Sequence, residues 1–193
     1  MNNFKKYWKK FWNFLHKDSW VSFAVTLFLA FIIIKFIFFS GLSFVTGTSL
    51  PLVIVESCSM YHHYAGFEKT FESSVYADYG ITLEDTSDWD FKNGINKGDM
   101  IFVVAAEDIE IGDVIIFNGG STNPLIHRVI KVGDTYSTKG DNYKTNSKQL
   151  LSEKVIEEDR IIGKALFKVP VIGWVKLIFF EWTRNPNDRG LCN

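Results

Sequence analysis

The feature that most constrains this chain is a run of twenty residues, Trp20 to Phe39, that holds a single charge, Lys35. At about 1.5 Å rise per residue, a helix of that length covers roughly 30 Å, one hydrocarbon core. No further charge appears until Glu56. Lys35 sits late in the run, where its stem can carry the ammonium to the outer surface. Five lysines (Lys5, Lys6, Lys9, Lys10, Lys17) precede the run, a bias that predicts a cytoplasmic N-terminus and an exported remainder. A cleavable signal peptide would have a shorter apolar core followed by small residues at a cut site. Length therefore favours a retained anchor over 20–45, behind a basic segment over 1–19. Phe4 to Leu15 fits either an amphipathic interfacial helix or a flexible basic flank.

The rest of the chain reads differently. Short β-branched runs recur at Pro51–Val55, Asp99–Ala105, Asp113–Phe117, Ile126–Val132 and Arg160–Phe167, separated by Gly, Asn and Asp clusters. That pattern predicts a mainly β barrel or sandwich domain over 46–182. Residues 61–93 break the rhythm with many aromatics and acids, and read as a partly helical insertion outside the β core. The apolar stretch Ala165–Trp182 contains Lys168, Pro170, Gly173 and Lys176, which argues for a strand and turn on a membrane-facing edge, not a second span. Residues 183–193 read as a loose polar tail.

Composition excludes several functions. With 21 Lys+Arg against 22 Asp+Glu the net charge is −1, without the basic excess of a nucleic-acid binder. Two cysteines, Cys58 and Cys192, are too few for a disulfide scaffold or an all-Cys zinc site. His62 and His63 are adjacent and point apart on a strand or a helix, so neither suits a shared metal. There is no dinucleotide or phosphate-loop glycine pattern, and no metal or organic cofactor is expected.

Three places could carry chemistry. Glu56-Ser57-Cys58-Ser59-Met60 follows an apolar strand, His127 lies within IHRVIKV, and Asp141 lies in TKGDN. Together they offer a nucleophile, a base and an orienting carboxylate. A neutral imidazole can take a serine proton near neutral pH, and a carboxylate on its other nitrogen fixes the tautomer. In an extended segment Ser57 and Ser59 share a face and Cys58 points away. Each residue also has a plainer reading: Cys58 as a small buried residue, His127 as a core histidine, Asp141 as turn chemistry. Cys58 as a thiol nucleophile stands as a rival.

The order PLVIVESCSM, KGDMIFV, IGDVIIF, IHRVIKV, STKGDN, IIGKALFKVPVIGW behind an N-terminal anchor resembles the type I signal peptidases, in particular their archaeal and endoplasmic-reticulum branch. The resemblance covers 20–60 and 97–176. It implies a membrane-bound serine endopeptidase that removes signal peptides from exported preproteins, with the translocation machinery as a further partner. It also implies Ser59 as nucleophile, His127 as base where bacterial members carry lysine, and Ser57 as an oxyanion donor. The family's usual Gly between the serines is Cys58 here. The branch's second acidic pair, five and six residues beyond the Gly-Asp-Asn aspartate, is Asn146-Ser147. Asp141 is then the expected third triad member and Asn146 its neutral alternative, with Glu157, Glu158 and Asp159 more remote. A lapsed, membrane-anchored binding domain is the alternative from another class. A related self-cleaving enzyme would need a lysine base, such as Lys131 or Lys139.

Overall fold

The computed structural model describes residues 2–62 and 66–192, so His63 lies outside the described residues. The chain divides after Val45 into two compact units. In the first, α1 (Asn2–Leu15) is helical, which resolves the choice left open for the basic flank. It is followed by α2 (Trp20–Thr46), long and apolar enough to cross a membrane. The side chains of Phe28, Phe31, Ile34 and Ile37 on α2 point outward into no protein core, as a lipid-facing helix requires. Around Lys35 the helix loosens into a π-helical turn, Ile33–Phe38. The ammonium lies 5.5 Å from the Phe31 ring centroid and 5.4 Å from that of Phe36.

The second unit is built on one six-stranded antiparallel sheet. Its strands are β1 (Leu52–Ile54), β2 (Met100–Val104), β3 (Val114–Phe117), β4 (Leu125–Lys131), β5 (Ser137–Lys139) and β6 (Ile161–Val169). They lie in the order β1-β2-β6-β3-β4-β5. The sequence placed five of them within a residue or two; β5 was read there only as part of a turn.

β3 lies between two neighbours and is buried at every position, as a near-continuous apolar run demands. Its side chains alternate between two cores, Val114 and Ile116 with Val55, Met60 and Ile101, and Ile115 and Phe117 with Val129 and Ile156. Register shifts within the β2–β6, β3–β6 and β4–β5 pairs bend the strands. The curl brings the two edges together: just past β5, the Asn142 N–H donates to the Ser59 carbonyl just past β1, at 2.8 Å.

Residues 67–86 carry three short helical turns, Phe67–Glu72, Ser74–Asp78 and Glu84–Thr86. The insertion is partly helical as expected, but it does more than decorate the sheet. Val75, Tyr76 and Ile81 form a third apolar cluster with Ile130 of β4.

Candidate active site

The sheet junction fixes the segment after β1. Besides its backbone bond to Ser59, Asn142 donates through Nδ2 to the Cys58 carbonyl at 2.8 Å. Gly140 is needed for this approach, since a Cβ there would stand 2.9 Å from the Ser59 carbonyl oxygen and 2.7 Å from Asn146 Cγ. On this platform the hydroxyls of Ser57 and Ser59 lie 3.2 Å apart; the segment is a turn, with the Tyr61 N–H donating to the Cys58 carbonyl at 3.1 Å, and not the extended strand that the period-two reading assumed.

Both serines open onto a cleft of about 740 Å³ that Asn142 and Asn146 also line. A second groove, about 370 Å³, runs from Ser59 along β1 to Leu125 and Ile126, the residues that precede His127. β1 pairs with β2 on one side only, so its other edge faces this groove.

The C-terminal tail is not loose. Cys58 forms a disulfide with Cys192, so it offers no thiolate to act as a nucleophile. Arg184 donates to the Glu56 carbonyl at 2.8 Å and pairs with the Glu56 carboxylate at 2.5 Å. Lys97 pairs with Glu181 and donates to the Asp188 carbonyl at 2.6 Å. The tail thereby becomes a wall of the larger cleft.

Successive residues of β4 face opposite sides and meet different carboxylates. On one side Arg128, fully buried, donates from Nη2 to Asp141 Oδ2 at 2.7 Å and from Nε to Oδ1 at 3.0 Å. Its Nη1 donates to the carbonyls of Gly112 at 2.7 Å and Asp90 at 2.8 Å. The guanidinium lies 5.4 Å from the Phe67 ring and 5.3 Å from the Trp89 ring, both from the insertion. His62 Nε2 adds a contact of 2.9 Å to Asp141 Oδ2. Burial alone would raise the Asp141 carboxyl; the Arg128 charge and the hydrogen bonds from His62 and Arg128 overcome this and hold it well below the usual carboxylate range. The structure thus turns Asp141 toward Arg128 and His62.

On the other side His127 packs near Phe117, with ring centroids 6.4 Å apart. Its Nδ1 stands 2.5 Å from Oε1 of Glu153. Among the described residues the Ser59 hydroxyl is bonded to Ser57 and not to His127. Glu157, Glu158 and Asp159 are exposed. Lys139 is buried, donates to the Gly140 carbonyl at 2.8 Å and lies 5.1 Å from the Tyr76 ring. Desolvation lowers its pKa to about 8 against the pull of Asp141 and Glu153. Lys131 is exposed.

No protein-family model matches the chain. Curated relatives do. The signal peptidase complex catalytic subunit SEC11 of Fusarium vanettenii is 27% identical over 172 residues, covering 83% of this chain and 79% of that protein. The SEC11 subunit of Komagataella phaffii is 27% identical, covering 76% of each chain. The human SEC11C subunit is 27% identical over 155 residues, covering 75% of this chain and 65% of its own length. The chain is thus similar over most of its length to catalytic subunits of the signal peptidase complex, the endoplasmic-reticulum and archaeal type of signal peptidase.

Against that similarity, two features stand out. Asn146 is where the branch carries an acid; it is buried and its Oδ1 accepts from the Thr145 hydroxyl at 2.8 Å. Glu153, which the sequence did not single out, is the carboxylate that faces the histidine. It stands in a stretch of charges, Glu153, Lys154, Glu157, Glu158 and Asp159, that reads as a solvated surface, yet Glu153 is buried while the others are exposed. Only the tertiary pairing of Tyr136 with Ile156 brings this segment beside β5.

Proposed function

We propose that this chain is a signal peptidase, a membrane-anchored serine endopeptidase that cuts signal peptides from preproteins, with Ser59 as nucleophile and His127 as general base. The observation that carries the reading is the paired Ser57 and Ser59 hydroxyls, held by the Asn142 platform at the mouth of an open cleft, in a relative of named catalytic subunits.

In this mechanism the Ser59 oxygen attacks the scissile carbonyl as His127 accepts its proton. The Ser57 hydroxyl and the Ser59 backbone N–H donate to the oxyanion. His127 then protonates the leaving amine, which departs as the new N-terminus of the mature protein. The signal peptide stays esterified to Ser59 until His127 activates water to release it. Asp141 serves as a positioning residue, locking the turn that carries Asn142 beneath the nucleophile.

The free edge of β1 and its groove suit an extended substrate added as a further strand. Exposed Val171, Ile172, Val175, Ile178, Phe179 and Trp182 form an apolar belt fit to enter the bilayer surface, where the apolar core of a signal peptide ends. The lysines before α2 favour a cytoplasmic N-terminus and an exported remainder, and a disulfide at Cys58 suits an oxidising side. The partners are preproteins, the bilayer and the translocation machinery.

The test is cleavage of a signal-bearing preprotein in liposomes, with the junction read by mass spectrometry. Wild type is expected to cut at the signal junction and Ser59→Ala to cut nothing. Equal processing by Ser59→Ala would refute the reading.

A further inference from the structure

With Asn146 and Ser147 where the resembled branch carries its acidic pair, the carboxylate beside the His127 ring is Glu153. Nδ1 of His127 and Oε1 of Glu153 are both buried, lie 2.5 Å apart, and have no other hydrogen-bond partner. The pair is off the line of a well-aligned N–H···O bond. The second side-chain torsion of histidine, about which such a pair aligns, is broad. Two buried polar atoms with no alternative partner are costly apart and stabilising together.

The geometry points to Glu153 as the positioning carboxylate of His127, supplied from a different segment than in the rest of the branch. This deepens, and rests on, the assignment of Ser59 and His127 above.

The placement of Glu153 is over-determined. It lies in a single helical turn, Leu151–Lys154. Its Oε2 accepts from the Leu150 N–H, at the start of that turn. Its backbone carbonyl accepts from the Ser137 hydroxyl of β5 at 3.1 Å. Three residues on, Ile156 and Tyr136 exchange two backbone hydrogen bonds of 2.9 Å each. One carboxylate oxygen is thus fixed by the chain while the other is left for the imidazole. Ionised Glu153 keeps the proton of neutral His127 on Nδ1, which leaves Nε2 free to accept the Ser59 proton, and it stabilises the imidazolium that forms.

The charged and titratable groups that act on this pair from neighbouring elements are Lys139 of β5, Tyr76 of the insertion and, beyond them, Asp141. Desolvation pushes the Lys139 ammonium down to about 8, and Lys139→Met serves as the control for its share in the pH profile.

The test uses full-length protein in detergent, with preprotein cleavage followed from acid to neutral pH. Glu153→Gln is expected to lower kcat roughly 10³- to 10⁴-fold, with KM held within about twofold. Its acidic limb is expected to move to lower pH, because a neutral amide supports the imidazolium less than a carboxylate does. Glu153→Asp is expected to recover part of the rate. A glutamate that only braced the fold would lower the amount of active protein without moving the limb. Should Glu153→Gln fail to fold, proton NMR of the wild type decides. A strongly downfield His127 ring proton, absent in His127→Ala, supports the contact, and its absence from the wild type overturns it. Glu153→Gln that cuts within about threefold of wild type with an unmoved limb also overturns the proposal. Processing by Ser59→Ala, or none by wild type, would instead count against the peptidase reading.

Discussion

Arg128 and His127 are neighbours on one strand, yet each has a different carboxylate and a different task. Arg128 faces Asp141, two backbone carbonyls and two aromatic rings. His127 faces Glu153, and no described partner fixes its ring into a closed network. A saturated network holds one geometry and has no proton to move. A histidine with one carboxylate at its back can accept and return one. The comparison teaches that a carboxylate's place in a motif does not set its role; what matters is how completely its partner is already bound.

The largest expected effect separates the two sides outright. His127→Ala should lose roughly 10⁴- to 10⁶-fold in cleavage rate, with a fall in melting temperature smaller than that of Arg128→Met because Glu153 keeps its bond from the Leu150 N–H. Arg128→Met should do the reverse in kind. It strands the fully buried Asp141 carboxylate, at a cost of about 3–5 kcal/mol and on the order of 10 °C in melting temperature. Thermal denaturation beside a cleavage assay reads both. If His127→Ala melted early and Arg128→Met did not, the two roles would have to be exchanged.

A smaller effect is expected at the oxyanion. Ser57→Ala should slow cleavage about 10²- to 10³-fold without changing the melting temperature, as a rate assay with matched melting curves would show.

The smallest effects come from pH. Asp141 is held ionised in the fold, so it contributes stability above the ordinary carboxylate pKa, and that stability is lost as pH falls through its depressed folded value. Lys139 is also shifted downward, but by desolvation, so here it is the charged form that costs stability. Below pH about 8 the folded protein bears the cost of a buried cation, about 3 kcal/mol given a shift from 10.5 to about 8. Between those values the unfolded chain binds more protons than the fold, so stability rises with pH. Melting curves of the full chain in detergent from pH 7.5 to 10.5 should show this rise in wild type and its loss in Lys139→Met.

Much of this architecture was legible in the sequence. The β-branched runs separated by Gly-Asp turns marked five of six strands, because period-two burial and turn chemistry are local. The two serines do meet, but in a turn past β1 and not through strand alternation. What was not legible depends on distant pairing. The Cys58–Cys192 bridge joins residues 134 apart in sequence, and it converts a tail read as loose into a wall of the cleft. The insertion supplies His62, Phe67 and Trp89 around the Arg128–Asp141 pair, although its composition gave no sign of a structural role. Glu153 was hidden among exposed acids, because only the register of the segment beside β5 distinguishes it.

The most direct test of the central claim is to trap the covalent intermediate. Acid quenching of the enzyme early in preprotein turnover, followed by proteolysis and mass spectrometry, should find the signal peptide's C-terminal residues esterified to the fragment that contains Ser59, and no such adduct in Ser59→Ala. An adduct on another residue, or active processing that never leaves one on Ser59, would contradict the account.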